Sequence, residues 1–196
     1  MYRKDKKSEF FTVRAREEGY PARSVYKLQE IDKKYNLIKR GDRVLDLGCA
    51  PGSWLLYLSK KVGDKGGAVG IDIEDIKIPL KDNIVFVKKD VMALEDKYFE
   101  GKHYDAVVSD LAPSTSGMMD TDAERSLELC QRAFEIVTMV LGSGKNFLCK
   151  IFEGESTNDF FKKISSSFRF AKRFRPKAVR KGSREIYIVA KDFKKA

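Results

Sequence analysis

Apolar positions along the chain fall into two periods, and the switches between them mark out the elements. After Pro21 the segment ARSVYKLQEIDKKYNL repeats Val25, Leu28, Ile31 and Tyr35 at helical spacing. Pro21 suits the first turn of that helix and Gly41 its stop. RVLDLG is a short apolar run ended by Gly48, as a buried strand entering a turn would be. PGSWLLYLSKKVG follows as a helix with Gly63 near its end. AVGIDI, NIVFVKKDV and YDAVVSDLAP read as three more strands, the last closed by Pro113. From Asp120, TDAERSLELCQRAFEIVTMVL predicts a long amphipathic helix, and KNFLCKIF a fifth strand. STNDFFKKISSSF predicts a helix with Ser156 as N-cap, before two final strands, FRFAKRFRP and REIYIVAKDF.

Strands alternating with helices predict an α/β fold: an open, doubly wound, mostly parallel sheet covered on both faces. The final two strands lack a long helix between them, so the last one is expected to run antiparallel. No repeat, low-complexity stretch or linker divides residues 1–196, which are read as one domain with basic N- and C-terminal segments. Ligands of such sheets bind beyond the carboxyl ends of the strands, which is where chemistry is sought.

Charge adds a partner class. The net charge is +10, and the excess sits in residues 1–40 and 161–196, while residues 41–160 are net acidic. Two basic ends folded onto one face would bind a polyanion; the bland alternative is a pair of solvated lysine-rich ends. No run of about 18 uncharged apolar residues occurs, so no membrane span is expected, and MYRKDKKSEF has no apolar stretch behind its charges to make a secretory signal. Cys49, Cys130 and Cys149 have no CxxC spacing and read as free thiols of a cytoplasmic protein, expected as a monomer. With His103 the only histidine, no metal site is expected.

The first strand runs into Asp46-Leu-Gly-Cys-Ala-Pro-Gly-Ser-Trp54, where small residues let a ligand approach the backbone at a helix N-terminus. Asp72, twenty residues beyond Gly52, ends the second strand and is placed to accept both hydroxyls of an adenosine ribose. Asp90 ends the third and could reach an adenine amino group. The loop is neither GxGxxG nor a P-loop, and Asp46, Asp72 and Asp90 would repel phosphate. A nucleoside without phosphate that carries a cation, such as S-adenosylmethionine, suits it. Trp54 reads either as a wall beside that cofactor or as a helix residue packed on the sheet.

Strand four ends in Val108-Ser109-Asp110 and strand five in Leu148-Cys149-Lys150. A lone charge at the end of a buried strand needs a partner, and in a parallel sheet Asp110 and Lys150 would be neighbours. A lysine can take a proton from a poorly nucleophilic hydroxyl; burial or a second cation favours the free amine and a carboxylate opposes it. Lys27 and Glu185 are the further candidates, each also readable as a surface charge. Cys49 has no base nearby in sequence and is not read as a nucleophile.

These residues, in this order, resemble the FtsJ-like RNA ribose 2′-O-methyltransferases. The likeness runs from about Tyr20 to Lys191, through ARSVYKLQEI, VLDLGCAPGSW, GIDI, Asp90-Val91, VVSDLAP, FLCKIFEG and SREIYIVA. It implies a Rossmann-like class I methyltransferase fold. It implies a catalytic tetrad at Lys27, Asp110, Lys150 and Glu185, with Lys150 as proton acceptor toward a 2′-hydroxyl. It implies S-adenosylmethionine contacts at Gly52, Trp54, Asp72, Asp90 and Asp110. Ser53 departs from the family's usual PGGW.

The resemblance gives the basic ends a role: Lys4, Lys6, Lys7, Arg14, Arg16 and Arg23 on one side of the site. Lys172, Arg173, Arg175, Lys177, Arg180, Lys181 and Arg184 stand on the other, holding RNA phosphates while Phe10 or Tyr20 stacks a base. The loop Ser114–Met119 is read as one that moves to admit substrate, or as passive. Within the family the short bacterial type acts on large-subunit ribosomal RNA, which makes a uridine of 23S-type RNA, or the ribosomal subunit carrying it, the expected acceptor. A tRNA enzyme is the alternative, and a non-catalytic RNA-binding assembly factor is the alternative of another class.

Overall fold

The structure, a computed structural model, describes residues 6–195, with side chains from residue 9. Helices α1 (Lys6–Glu17) and α2 (Val25–Tyr35) precede strand β1 (Arg43–Leu47), helix α3 (Ser53–Val62), β2 (Gly67–Asp72) and β3 (Ile84–Lys88). Then come β4 (Tyr104–Ser109), α4 (Met119–Val140), β5 (Leu141–Phe152), α5 (Thr157–Ser167), β6 (Phe168–Phe174) and β7 (Glu185–Phe193). The seven strands form one sheet in the order β3-β2-β1-β4-β5-β7-β6. β1 to β5 pair in parallel, and β7 runs antiparallel to both β5 and β6. The strand alternation expected from the sequence, including the reversed last strand, is the observed one.

The two faces of the sheet are packed separately. Val107, Phe147, Ile151 and Ile188 meet α4 and α5 through Phe134, Val137 and Ile164. On the other face Val44, Val108, Leu148 and Val189 meet α2 and α3 through Leu28, Ile31, Leu55 and Leu58. Both faces of the central strands are thus apolar, as a parallel sheet requires.

Several local expectations give way to other devices. α2 begins at Val25, and Pro21 lies in the turn before it. Asn36, at φ 52°, ends α2 before Gly41 is reached, because Asp32 accepts the Leu37 and Ile38 N–H groups (both 3.0 Å) beyond the helix end. Ser156 stands at the N-cap of α5 without a capping bond; the Thr157 hydroxyl accepts from Gly154 N instead (2.8 Å). α1 was not expected, since among its described side chains Phe11 and Ala15 are the only apolar ones it packs inward, against Tyr20, Val25 and Tyr26. Ala178 joins the same cluster, Arg23 donates to its carbonyl oxygen (3.1 Å), and Glu30 accepts from Lys177 N (2.7 Å). The two basic ends of the chain therefore meet.

Candidate active site

Asp110 is held at the end of β4 by its N–H bond to Leu47 O (3.0 Å). Register pairs Ser109 with Cys149, so the next residues, Asp110 and Lys150, face each other. Lys150 Nζ is 3.1 Å from Asp110 Oδ1 and also donates to the Asp110 carbonyl oxygen. Lys27 reaches in from the first turn of α2, with Nζ 2.6 Å from Oε1 of Glu185 at the start of β7. All four side chains are largely buried, at 7–16% exposure. Two cations and two anions balance, which limits the cost of their desolvation.

One residue joins the two pairs. The Tyr187 hydroxyl lies 2.7 Å from Asp110 Oδ1 and 2.9 Å from Glu185 Oε1. It has one proton, so it donates to one carboxylate at a time. Sequence reasoning missed Tyr187, although the strand period puts it on the same face as Glu185. Its ring is fully buried beside Trp54, and burial together with both carboxylates pushes its phenol far above the ordinary value. Burial alone would raise Asp110; the Lys150 and Lys27 ammonium groups and the Tyr187 hydroxyl outweigh it and hold that carboxyl below the usual range.

Beside the tetrad a cleft of about 380 Å³ opens across the carboxyl ends of β1 to β4. Gly48, Asp72, Asp90, Asp110 and Leu111 are among its walls. Asp72 accepts from Ala50 N (2.8 Å) and Glu74 N (2.9 Å), fixing the glycine loop to the end of β2, and Asp90 accepts from Met92 N (2.9 Å). Gly48 has φ +80°, and a Cβ there would lie 2.9 Å from Leu111 N, so glycine keeps the cleft floor open. Asp46 beneath it is fully buried, with neither carboxylate oxygen hydrogen-bonded, and burial reinforced by Asp110 and Asp72 raises it well above the usual range. Acidic walls of this kind suit a nucleoside with a positive charge and disfavour phosphate.

Gly52 and Trp54 do not line this cleft. Gly52 (φ +106°) lies under Ile78, and Trp54, 2% exposed, donates its indole N–H to Ser24 O (2.9 Å). The indole is thus packed in the core and bonded to the backbone before α2. Ser53, the departure from PGGW, accepts from Ala22 N (2.7 Å), so together the two residues tie the glycine loop to the segment leading into α2. Tyr20 is only 7% exposed, with the Lys60 ammonium 4.6 Å from its ring centroid, and its burial leaves no ring face open to a base. Phe10 is 59% exposed. Lys4 lies outside the described residues, as do the side chains of Lys6 and Lys7. Loop Ser114–Met119 is pinned by Asp122, which accepts from Ser116 N and from its hydroxyl (both 2.8 Å). The three cysteines are free and buried, and burial drives the Cys49 thiol far up. Among the described residues no cluster could hold a metal, and no helix is long and apolar enough to cross a membrane.

A mostly parallel seven-stranded sheet with a reversed penultimate position, acidic at its strand tips, defines the fold as that of a Rossmann-like class I methyltransferase. The chain belongs to the FtsJ-like methyltransferase family, whose pattern matches residues 20–193. It is 45% identical over 189 residues to the ribosomal RNA large subunit methyltransferase E of Desulforapulum autotrophicum, covering 95% of this chain and 93% of that one. The protein of the same name from Desulfatibacillum aliphaticivorans is 43% identical over 181 residues, 91% of this chain and 87% of its own. A structure described as a ribosomal RNA methyltransferase of Plasmodium falciparum superposes with a TM-score of 0.78 at 28% identity, covering 89% of this chain and 98% of that one. Human methyltransferase-like protein 13 in complex with SAH shares the fold (TM-score 0.62, 12% identity, 85% of this chain and 82% of that one).

Proposed function

We propose that this protein transfers a methyl group from S-adenosylmethionine to a ribose 2′-hydroxyl of large-subunit ribosomal RNA, on a uridine of the 23S type, acting as one domain. The observation that carries the reading is the meeting of the Lys27–Glu185 and Lys150–Asp110 pairs, joined through the Tyr187 hydroxyl between their carboxylates, at the rim of an acidic nucleoside-sized cleft. The relatives named for ribosomal RNA support the substrate.

S-adenosylmethionine, when bound, supplies an electrophilic methyl group. Asp72 and Asp90 would hold its ribose and adenine, and Asp110 its charged end. Gly52 and Trp54 act on it through the shape of the loop. Lys150, in its uncharged amine form, would accept the 2′-hydroxyl proton as the oxygen takes the methyl group and the sulfur leaves with its bonding electron pair. Asp110 fixes that amine from 3.1 Å, and the Lys27–Glu185 pair orients the ribose. The basic ends, which meet beside α2, hold the RNA backbone.

The experiment is methyl transfer from labelled S-adenosylmethionine to large ribosomal subunits lacking the modification, with mapping of 2′-O-methyl positions. Label on one uridine ribose is the expected result, with transfer falling steeply as salt rises. Label on a base, on tRNA alone, or none at all overturns the reading.

A further inference from the structure

The edge of the sheet farthest from the cofactor cleft carries an aromatic stripe that the proposed chemistry does not use. On β6, Phe170, Lys172 and Phe174 pair in register with Lys191, Val189 and Tyr187 of β7, and so share one sheet face. Tyr35, at the end of α2, lies between the two rings, 6.0 Å from Phe170 and 5.6 Å from Phe174. The Lys34 ammonium stands 4.4 Å from the Phe174 centroid and 5.5 Å from that of Tyr35. Phe170 is 39% exposed.

The cations around these rings are uncompensated. Among the described residues no carboxylate pairs with the side chains of Lys33, Lys34, Lys172 or Lys177, all of them exposed. A row of rings flanked by unpaired lysines matches a strand of nucleic acid, whose bases offer flat faces and whose backbone offers one negative charge per residue. The stripe also has a direction. From Phe170 to Phe174 it spans about 13 Å of strand, and it ends on the residue paired with Tyr187, which is bonded to Asp110 and Glu185.

We propose that Phe170, Tyr35 and Phe174 form a stacking track for unpaired nucleotides flanking the modified one, with Lys34 and Lys172 on their phosphates. The proposal rests on RNA being the substrate. It adds that single-stranded RNA leaves the tetrad along α2 and β6.

The test uses the full chain and a fluorescein-labelled 12-nucleotide single-stranded RNA of mixed sequence, read by anisotropy. Phe170→Ala is expected to weaken binding about tenfold, and Phe170→Tyr to keep it. Lys172→Ser is expected to lower the slope of log affinity against log salt by about 0.7. Melting temperatures check that each variant folds. As a reading independent of substitution, the same RNA carrying 5-iodouridine should photocrosslink to Phe170, Tyr35 or Phe174. Adducts confined to other elements such as α1, or unchanged affinity in folded Phe170→Ala, overturn the track while leaving the RNA reading intact. No binding of RNA by the unaltered protein, together with no methyl transfer to large ribosomal subunits lacking the modification, overturns both.

Discussion

Lys150 Nζ stands 3.1 Å from Asp110 Oδ1 because β4 and β5 are parallel and in register, so two residues forty positions apart are opposed at the sheet's carboxyl edge. This pair is fixed by backbone hydrogen bonds and by burial, not by flexible surface side chains. A catalytic amine so placed is pre-oriented before substrate arrives.

Lys150→Ala should lower kcat for methyl transfer by about 10²- to 10⁴-fold, the range for loss of a general base. KM for RNA should stay near the unaltered value, since the lysine acts on the proton rather than on the phosphates. Labelled-methyl kinetics check both constants; a loss confined to KM would make Lys150 a binding residue.

Tyr187→Phe removes the one hydroxyl that touches both tetrad carboxylates. Hydrogen bonds to charged groups contribute about 1.5–3 kcal/mol, and the loss should appear at that scale in denaturant titration. Activity should fall less than for Lys150→Ala, with a displaced pH–rate profile because Asp110 loses one of the hydrogen bonds that hold its carboxyl down and keeps only its lysine partners. An unchanged profile with unchanged stability would show the hydroxyl to be a bystander.

Asp46 and Asp110 bias stability in opposite directions with pH. Asp110 is depressed in the folded state, so its contribution is present above the ordinary carboxyl value of about 3.9 and disappears as pH falls through the folded one. Asp46 is raised, so its contribution is complete below about 3.9 and is lost as pH rises through its folded value. Asp46→Asn cannot ionise, so its melting temperature relative to the unaltered protein should climb from pH 4 toward pH 8. Parallel melting curves across that range would contradict the assignment.

Gly52→Ala should cost more than Gly101→Ala. Both glycines have positive φ, but a Cβ at Gly52 would lie 2.9 Å from Ile78, and one at Gly101 would meet nothing within 4 Å. Backbone strain alone is about 1–3 kcal/mol, and overpacking adds about 1–3 kcal/mol at Gly52 only. Gly52→Ala should also weaken S-adenosylhomocysteine in calorimetry, through the displaced loop.

How much was legible follows from the range of each signal. Alternating strands and helices, the acid-ended strands and the neighbouring of Asp110 with Lys150 were readable, because periodicity and strand register are properties of short segments. Asn36 in place of Gly41 as the stop of α2 was not, because the side chain that rewards it, Asp32, could be recognised only once folded. Tyr187 looked like an ordinary strand aromatic, and Trp54 offered two readings, its burial in the core being visible only in the fold.

The sequence by itself determined the α/β order, the acidic strand tips and the charged ends, since these depend on residue type and local spacing. Tertiary structure alone decided that Lys27 meets Glu185, that Tyr187 bridges the carboxylates, that both basic ends converge, and that Phe170 and Phe174 flank Tyr35. The reason is physical: each is a contact between elements far apart in the chain, formed only because packing the two faces of the sheet fixes where every helix and edge strand must lie.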